Sequence, residues 1–354
     1  MLILSLAHAA SVTELPPFLR GDVVIGYQYD RLAGSLTEHA ATADGDVDVA
    51  RRTIQSHALR YGGAFAVAPG AAITFSIPHT LRKTVGVTEW SRMVYDPGTE
   101  TGTYAGTATE ADATIAEGAG LEGVWIGAKG TPFAEVFESR GNRATWHVAG
   151  AIRTPSANNN WYTITTPGAV EGAIGSRGVG EGGVALQVAT AGSTTFGASE
   201  PYISLSWTDT LPVEIAISAD DGAVIDGNAE VDPGGTLDVS FGTELVAGKN
   251  EASGARTAFD LHTRARYTAA STLPTGIELP AVLSPEAGLV QVAESLELGG
   301  GLALNLRFFK YFELDLYGDA LYHLPQRLEH PYPVYSGADT VHVVTGANVV
   351  VRVR

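Results

Sequence analysis

Asp260 and His262 stand two residues apart, and Arg264 and Arg266 follow at the same spacing. In an extended chain, residues at i and i+2 point to one face, so these four side chains form a ladder. A carboxylate beside an imidazole is an acid–base pair, and proton transfer is the chemistry it supports. Two guanidiniums on the same face point instead to charges lining water, which is the role expected here. Ser56 and His57 are adjacent. In a strand they face opposite ways and cannot act as nucleophile and base.

The stretch Asp220-Asp221-Gly222, with Asp226-Gly227-Asn228 after it, offers the oxygen ligands that calcium takes. It lacks the calcium-hand spacing and the Glu near the twelfth position, so a solvated loop is expected. No set of histidines has zinc spacing. The glycines between 175 and 183 lack the Lys-Ser/Thr ending of a phosphate loop and the helix that follows one. These readings predict no catalytic residue, no metal and no cofactor, hence a protein that is not an enzyme.

Ladders like the one at 260–266 recur. Glu313, Asp315, Asp319 and His323 alternate with Phe312, Leu314, Leu316, Ala320 and Tyr322. His342, Asn348 and Arg352 share one face of the last strand, and Val341, Val343, Val349 and Val351 share the other. The alternating segments run about 10–14 residues, longer than the about 5–6 usual in soluble sheets. A tilted strand needs about 9–11 residues to cross a bilayer. The pattern therefore predicts lipid on the apolar face and a polar lumen on the other. The expected pore-lining residues are Asp238, Glu244, Asp260, His262, Arg264, Arg266, Arg307, Glu313, Asp315, Asp319 and Arg352.

Composition agrees. Only 17% of the 354 residues are charged, below the roughly 25% of soluble domains. The formal charge of −17 argues against a nucleic-acid partner, which needs basic patches. Alternating strands escape hydropathy windows because every second residue is polar. Residues 1–10 end on the small-x-small sequence Ala7-His8-Ala9 after a short apolar run, and are expected to be a truncated signal peptide.

Residues 22–354 are expected to form the barrel. Thirteen segments read as strands: 22–30, 52–67, 71–79, 85–95, 121–133, 143–153, 183–196, 199–209, 236–248, 255–268, 290–308, 311–323 and 341–353. Residues 212–217 make a fourteenth if separate. Even strand numbers are the rule for bacterial single-chain barrels. The fold class is therefore all-β, a single antiparallel up-and-down transmembrane β-barrel of 12–14 strands. Residues 96–120, 154–180, 218–235 and 324–337 read as long loops. The cluster Phe308-Phe309-Lys310-Tyr311-Phe312 at a tight turn is placed where an aromatic girdle belongs.

Several short motifs carry a resemblance. Leu59-Arg60-Tyr61-Gly62, with Phe75-Ser76-Ile77-Pro78-His79 across the hairpin, resembles a hairpin of Gram-negative outer-membrane barrels related to hydrophobic-compound transporters. The run Gly118 to Lys129, containing Trp125-Ile126-Gly127-Ala128-Lys129, resembles one of their strands. Ile152-Arg153-Thr154-Pro155-Ser156-Ala157-Asn158 resembles a strand end, and Gly178 to Gly183 resembles a Gly-rich strand entry. The resemblance implies a bacterial outer-membrane location, outer-membrane lipid and lipopolysaccharide as surroundings, and small or hydrophobic solutes as passengers. The expected function is a passive channel or uptake porin. The alternative is a structural or assembly barrel whose long loops bind a protein partner.

Overall fold

Phe259 and Leu261 are exposed while Asp260 and His262, between and beside them, are buried. That inversion of the soluble rule organises the whole chain. The computed structural model describes residues 19–39, 46–88, 90–96, 101–108, 113–132, 144–155, 164–165, 179, 182–218, 224–250, 252–274, 289–329 and 334–353.

Twelve strands form the wall: β1 (Gly21–His39), β2 (Asp46–Ala68), β3 (Ala71–Thr88), β4 (Val124–Gly130), β5 (Thr145–Thr154), β6 (Ala185–Ser193), β7 (Ser199–Thr210), β8 (Gly235–Asn250), β9 (Ala255–Thr268), β10 (Ser295–Phe309), β11 (Phe312–His323) and β12 (Val334–Val353). Each pairs antiparallel with the next. β1 also pairs with β12, from Gly21 against Val353 to His39 against Val334. The ring is closed, so every wall strand has two partners and none is an edge, as lipid requires.

Every wall strand turns at least one large apolar side chain outward: Ile25, Phe65, Ile73, Ile126, Val148, Val188, Ile203, Phe241, Phe259, Leu302, Leu316 and Val351, in chain order. A belt of this kind on all sides has no place in water and a natural place in a bilayer. Phe308, Phe309, Tyr311 and Phe312 are exposed at the β10–β11 turn. The Phe308 and Phe312 rings lie 5.8 Å apart there.

The two ends differ. At one, four of the five connections are tight, the exception being residues 131–144 between β4 and β5. Ala68 meets Ala71 across Pro69-Gly70, with Gly70 at φ 73°, a value Gly adopts without strain. Asn250 Oδ1 accepts from the amides of Ala252 and Ser253, and Gly254 at φ 74° completes that turn. The longer connections leave from the other end, the usual outer-face arrangement of such barrels.

Toward the long-connection end the wall breaks in one ring. Ala113–Leu121 precedes β4 across Glu122-Gly123 and pairs with β3. Val213–Ser218 follows β7 across Leu211-Pro212. Val224–Val231 precedes β8 across Asp232-Pro233-Gly234. Ser271–Pro274, Leu289–Val292 and Gln326–Glu329 stand in the same relation to β9, β10 and β11. The breaks are in register: Val124 faces Thr154, Arg153 faces Ala185, Ala185 faces Thr210, and Thr268 faces Ser295. Pro212, Pro233 and Pro325 explain three of them, because proline has no N–H for the ladder.

The twelve-strand count agrees with expectation, with differences inside it. Residues 85–95 are not a wall strand. Val85 to Thr88 is the end of β3, carried past a register shift between Thr80 and Lys83. Trp90–Asp96 pairs instead with Thr101–Ala108 in a separate hairpin. Parts of all four expected loops are strands: 101–108 and 113–121, 164–165, 224–231, and 326–329 with 334–337. The expected signal peptide at 1–10, and Asp220 and Asp221, lie outside the described residues.

Candidate functional site: the lumen

The face opposite the apolar belt carries the polar residues. On β9 the inward set is Arg256, Ala258, Asp260, His262 and Arg264, all buried. On β8 it is Asp238, Ser240 and Glu244, and on β11 it is Glu313, Asp315 and Asp319. All eleven residues expected to line the lumen lie on this face, eight of them buried and Arg266, Arg307 and Arg352 partly so.

They join into three groups along the barrel axis. Near the tight turns, Glu313 accepts from Arg307 at 2.8 Å and from Arg352 at 3.1 Å. Asn305 donates to Glu313 at 2.7 Å and to Asp315 at 2.6 Å. Arg256 on β9 pairs with Glu244 on β8 and, at 2.9 Å, with Glu200 on β7.

The middle group centres on His262. Its Nδ1 lies 2.6 Å from Asp260 Oδ1 and its Nε2 lies 3.0 Å from Asp319 Oδ1. Tyr202 on β7 donates to Asp260 at 3.1 Å. Arg264 donates to Asp238 at 2.7 and 2.9 Å and to Asp319 at 3.1 Å. Gly301 on β10 makes this packing possible: a Cβ there would overlap Asp319 Oδ1 and come 2.8 Å from His262 Nε2.

The third group ties the barrel's closing strands together. Arg266 reaches Asp238 at 3.1 Å and Glu297 at 3.4 Å. His342 on β12 bridges Glu297 at 3.1 Å and Asp30 on β1 at 2.9 Å. With both ring nitrogens of His262 on carboxylates, and guanidiniums bracketing the site, the acid–base pair is part of a charge network.

Seven of these groups were not among the expected residues: Asp30, Glu200, Tyr202, Arg256, Glu297, Asn305 and His342. Strand parity was the available signal. Arg256 has the parity of Asp260, and Glu297 and Asn305 have that of Arg307.

Beyond the ring of breaks the interior turns apolar. Leu36, Ala50 and Val87 pack with Val290, Val292 and Leu328. Val85 packs with Val179 and Val231, and Ile54, Leu273 and Leu289 join them. Val85 belongs to β3 and Val231 leads into β8, which are five strands apart one way and seven the other. The cluster therefore joins the wall at β3 to the segment Val224–Val231 that leads into β8, with Val179 between them. Among the described residues, no group of His, Asp and Glu could hold a metal ion.

No protein-family model matches the chain, and no curated protein matches it. Among solved structures it is similar to an outer membrane channel from Pseudomonas putida, with a TM-score of 0.50 and 9% identity over 96% of this chain and 97% of that one. The chain is a transmembrane β-barrel of the outer-membrane kind. Two further solved structures align over most of its length. A FadL homologue from Pseudomonas aeruginosa gives a TM-score of 0.39 at 10% identity, over 94% of this chain and 90% of that one. The CymD monoaromatic hydrocarbon channel gives 0.36 at 11%, over 98% and 91%. At these identities the likeness concerns the fold, so the barrel's role rests on its own lumen.

Proposed function

We propose that this barrel is a channel of the bacterial outer membrane that passes small solutes, hydrophobic ones among them, by passive diffusion. Its outer belt meets outer-membrane lipid. Asp238, Glu244, Asp260, His262, Arg264, Arg266, Arg307, Glu313, Asp315, Asp319 and Arg352 line the conduction path. The observation that carries this reading is a closed wall whose inward face holds charges of both signs along its length. Charge rings of this type tune pore selectivity, and apolar constrictions gate by excluding water. The Val85–Val179–Val231 cluster is the gate in this scheme, closed here.

One observation favours a second reading. The lumen charges satisfy one another across neighbouring strands, and apolar clusters lie at the mouth among the described residues. A permanently closed barrel of this build would be an anchor whose long connections bind a partner protein. Single-channel recording in planar bilayers separates the two. Discrete conductance steps from purified, heat-modifiable protein support the channel. A correctly folded barrel that stays silent sinks it in favour of the anchor.

A further inference from the structure

The lumen wall has two unlike sides. In a chain with net charge −17, the four neighbouring strands β3, β4, β5 and β6 contain no Asp or Glu at all. Their buried nitrogen-bearing side chains include the cations Lys129 on β4 and Arg153 on β5 and the imidazole of His147 on β5. In a ring of twelve, these strands stand opposite β9–β12, the strands that carry Asp260, Glu297, Glu313, Asp315 and Asp319. The acids of β9–β12 are matched there by Arg256, Arg264, Arg266, Arg307 and Arg352, whereas the basic groups of β4 and β5 have no carboxylate on their own or the flanking strands.

The basic side is built locally. Lys129 faces Ala149 in register, so His147 is its diagonal neighbour, about 7–8 Å away and within reach of a shared small ligand. Arg153 lies over the Trp125 ring, 5.7 Å from its centroid, which fixes the direction of its guanidinium. His147 is 1% exposed, and neither of its ring nitrogens has a hydrogen-bond partner. Buried polar atoms are rarely left unmatched, and each such group asks for an explanation. Around them the inward positions of β5 and β6 include Ala149, Ala151, Ala189 and Ala191, with Gln187 facing Ala151 and donating to Thr208. The four alanines give the wall an apolar strip whose side chains end close to the backbone.

We propose that the inward face of β4 and β5, at Lys129, His147 and Arg153, binds the carboxylate of a small amphipathic solute. The carboxylate accepts from His147 and Lys129, and the apolar body lies on the alanine wall. Away from bulk water, charge-assisted hydrogen bonds of this kind are stronger than neutral ones.

Titration calorimetry of the detergent-folded protein with benzoate tests this directly. Saturable binding is expected, with benzyl alcohol, the neutral analogue, failing to compete. The Lys129→Gln/His147→Gln double variant should bind benzoate at least about tenfold more weakly. His147→Gln alone should weaken it about threefold or more, and serves if the double variant loses its heat-modifiable fold. Absence of saturable benzoate binding by the native protein overturns the proposal. So does equal competition by benzyl alcohol, or unchanged affinity in a folded variant. Binding without conductance would count against the channel alone, and conductance without binding against this site alone.

Discussion

Arg264 and Asp319 sit two strands apart, on β9 and β11, yet Nη1 of the arginine donates to Oδ2 of the aspartate at 3.1 Å. The same arginine holds Asp238 on β8. One side chain thus ties four successive strands together from inside, passing over Gly301 on the strand between. Buried ion pairs of this kind add little to stability relative to an apolar filling, but they are costly to break singly.

Replacing Asp319 by Asn removes the anion shared by Arg264 and His262 while keeping its shape. Two buried donors then face a neutral amide. The loss should be about 3–5 kcal/mol, the range for breaking a buried pair by removing one partner. Urea titration in detergent, read by the heat-modifiable gel shift, measures it. A loss under about 1 kcal/mol, the value of an exposed pair, would show that water already fills the space around Asp319.

Arg264→Glu together with Arg266→Glu reverses two charges in the middle of the lumen. If ions pass these residues, the ratio of potassium to chloride permeability should rise by at least about threefold. Reversal potentials under a salt gradient give that ratio. An unchanged ratio with intact conductance would take both residues off the conduction path.

Leu302 stands at the middle of β10 on the outer face and is 64% exposed. In a soluble protein Leu302→Arg at such a position would be nearly neutral. At the midplane of a bilayer it should cost about 2–4 kcal/mol. Folding titrations into lipid vesicles decide between these values, and a cost near zero would remove Leu302 from the membrane core.

The wall and its inner face were legible because parity is a local property. Asp260, His262 and Arg264 declare their face by spacing alone, and the barrel only has to exist for them to point inward. Their partners are a different matter. His342 meets Asp30 only because β12 closes against β1, and no local pattern carries ring order. The extra strand read at 85–95 has a related cause. The alternation continues past Thr80, but a register shift there swaps the faces, so Leu81 is exposed while Val85 and Val87 are buried, and periodicity does not record a bulge. The ring of breaks was half visible: Pro212, Pro233 and Pro325 mark three interruptions, yet only the pairing register shows that they lie at one level. The mouth cluster was not legible at all, because Val85, Val179 and Val231 come from distant segments.

That cluster gives the sharpest test of gating. Val85 and Val231 are both fully buried, with hydrocarbon neighbours from segments distant in the chain. Asn at each would place an amide in a dry contact, at about 1–3 kcal/mol apiece when no partner is found. In the open, wetted state the same amides meet water at no such cost. The difference acts on the closed state, so the open population of the Val85→Asn/Val231→Asn variant should rise at least about tenfold. Planar-bilayer recordings read this as longer open times at unchanged single-channel conductance, since the charged lumen below is untouched. Higher conductance with unchanged open time would mean instead that the cluster narrows a pore already open. No change in either quantity would leave the valines as packing only.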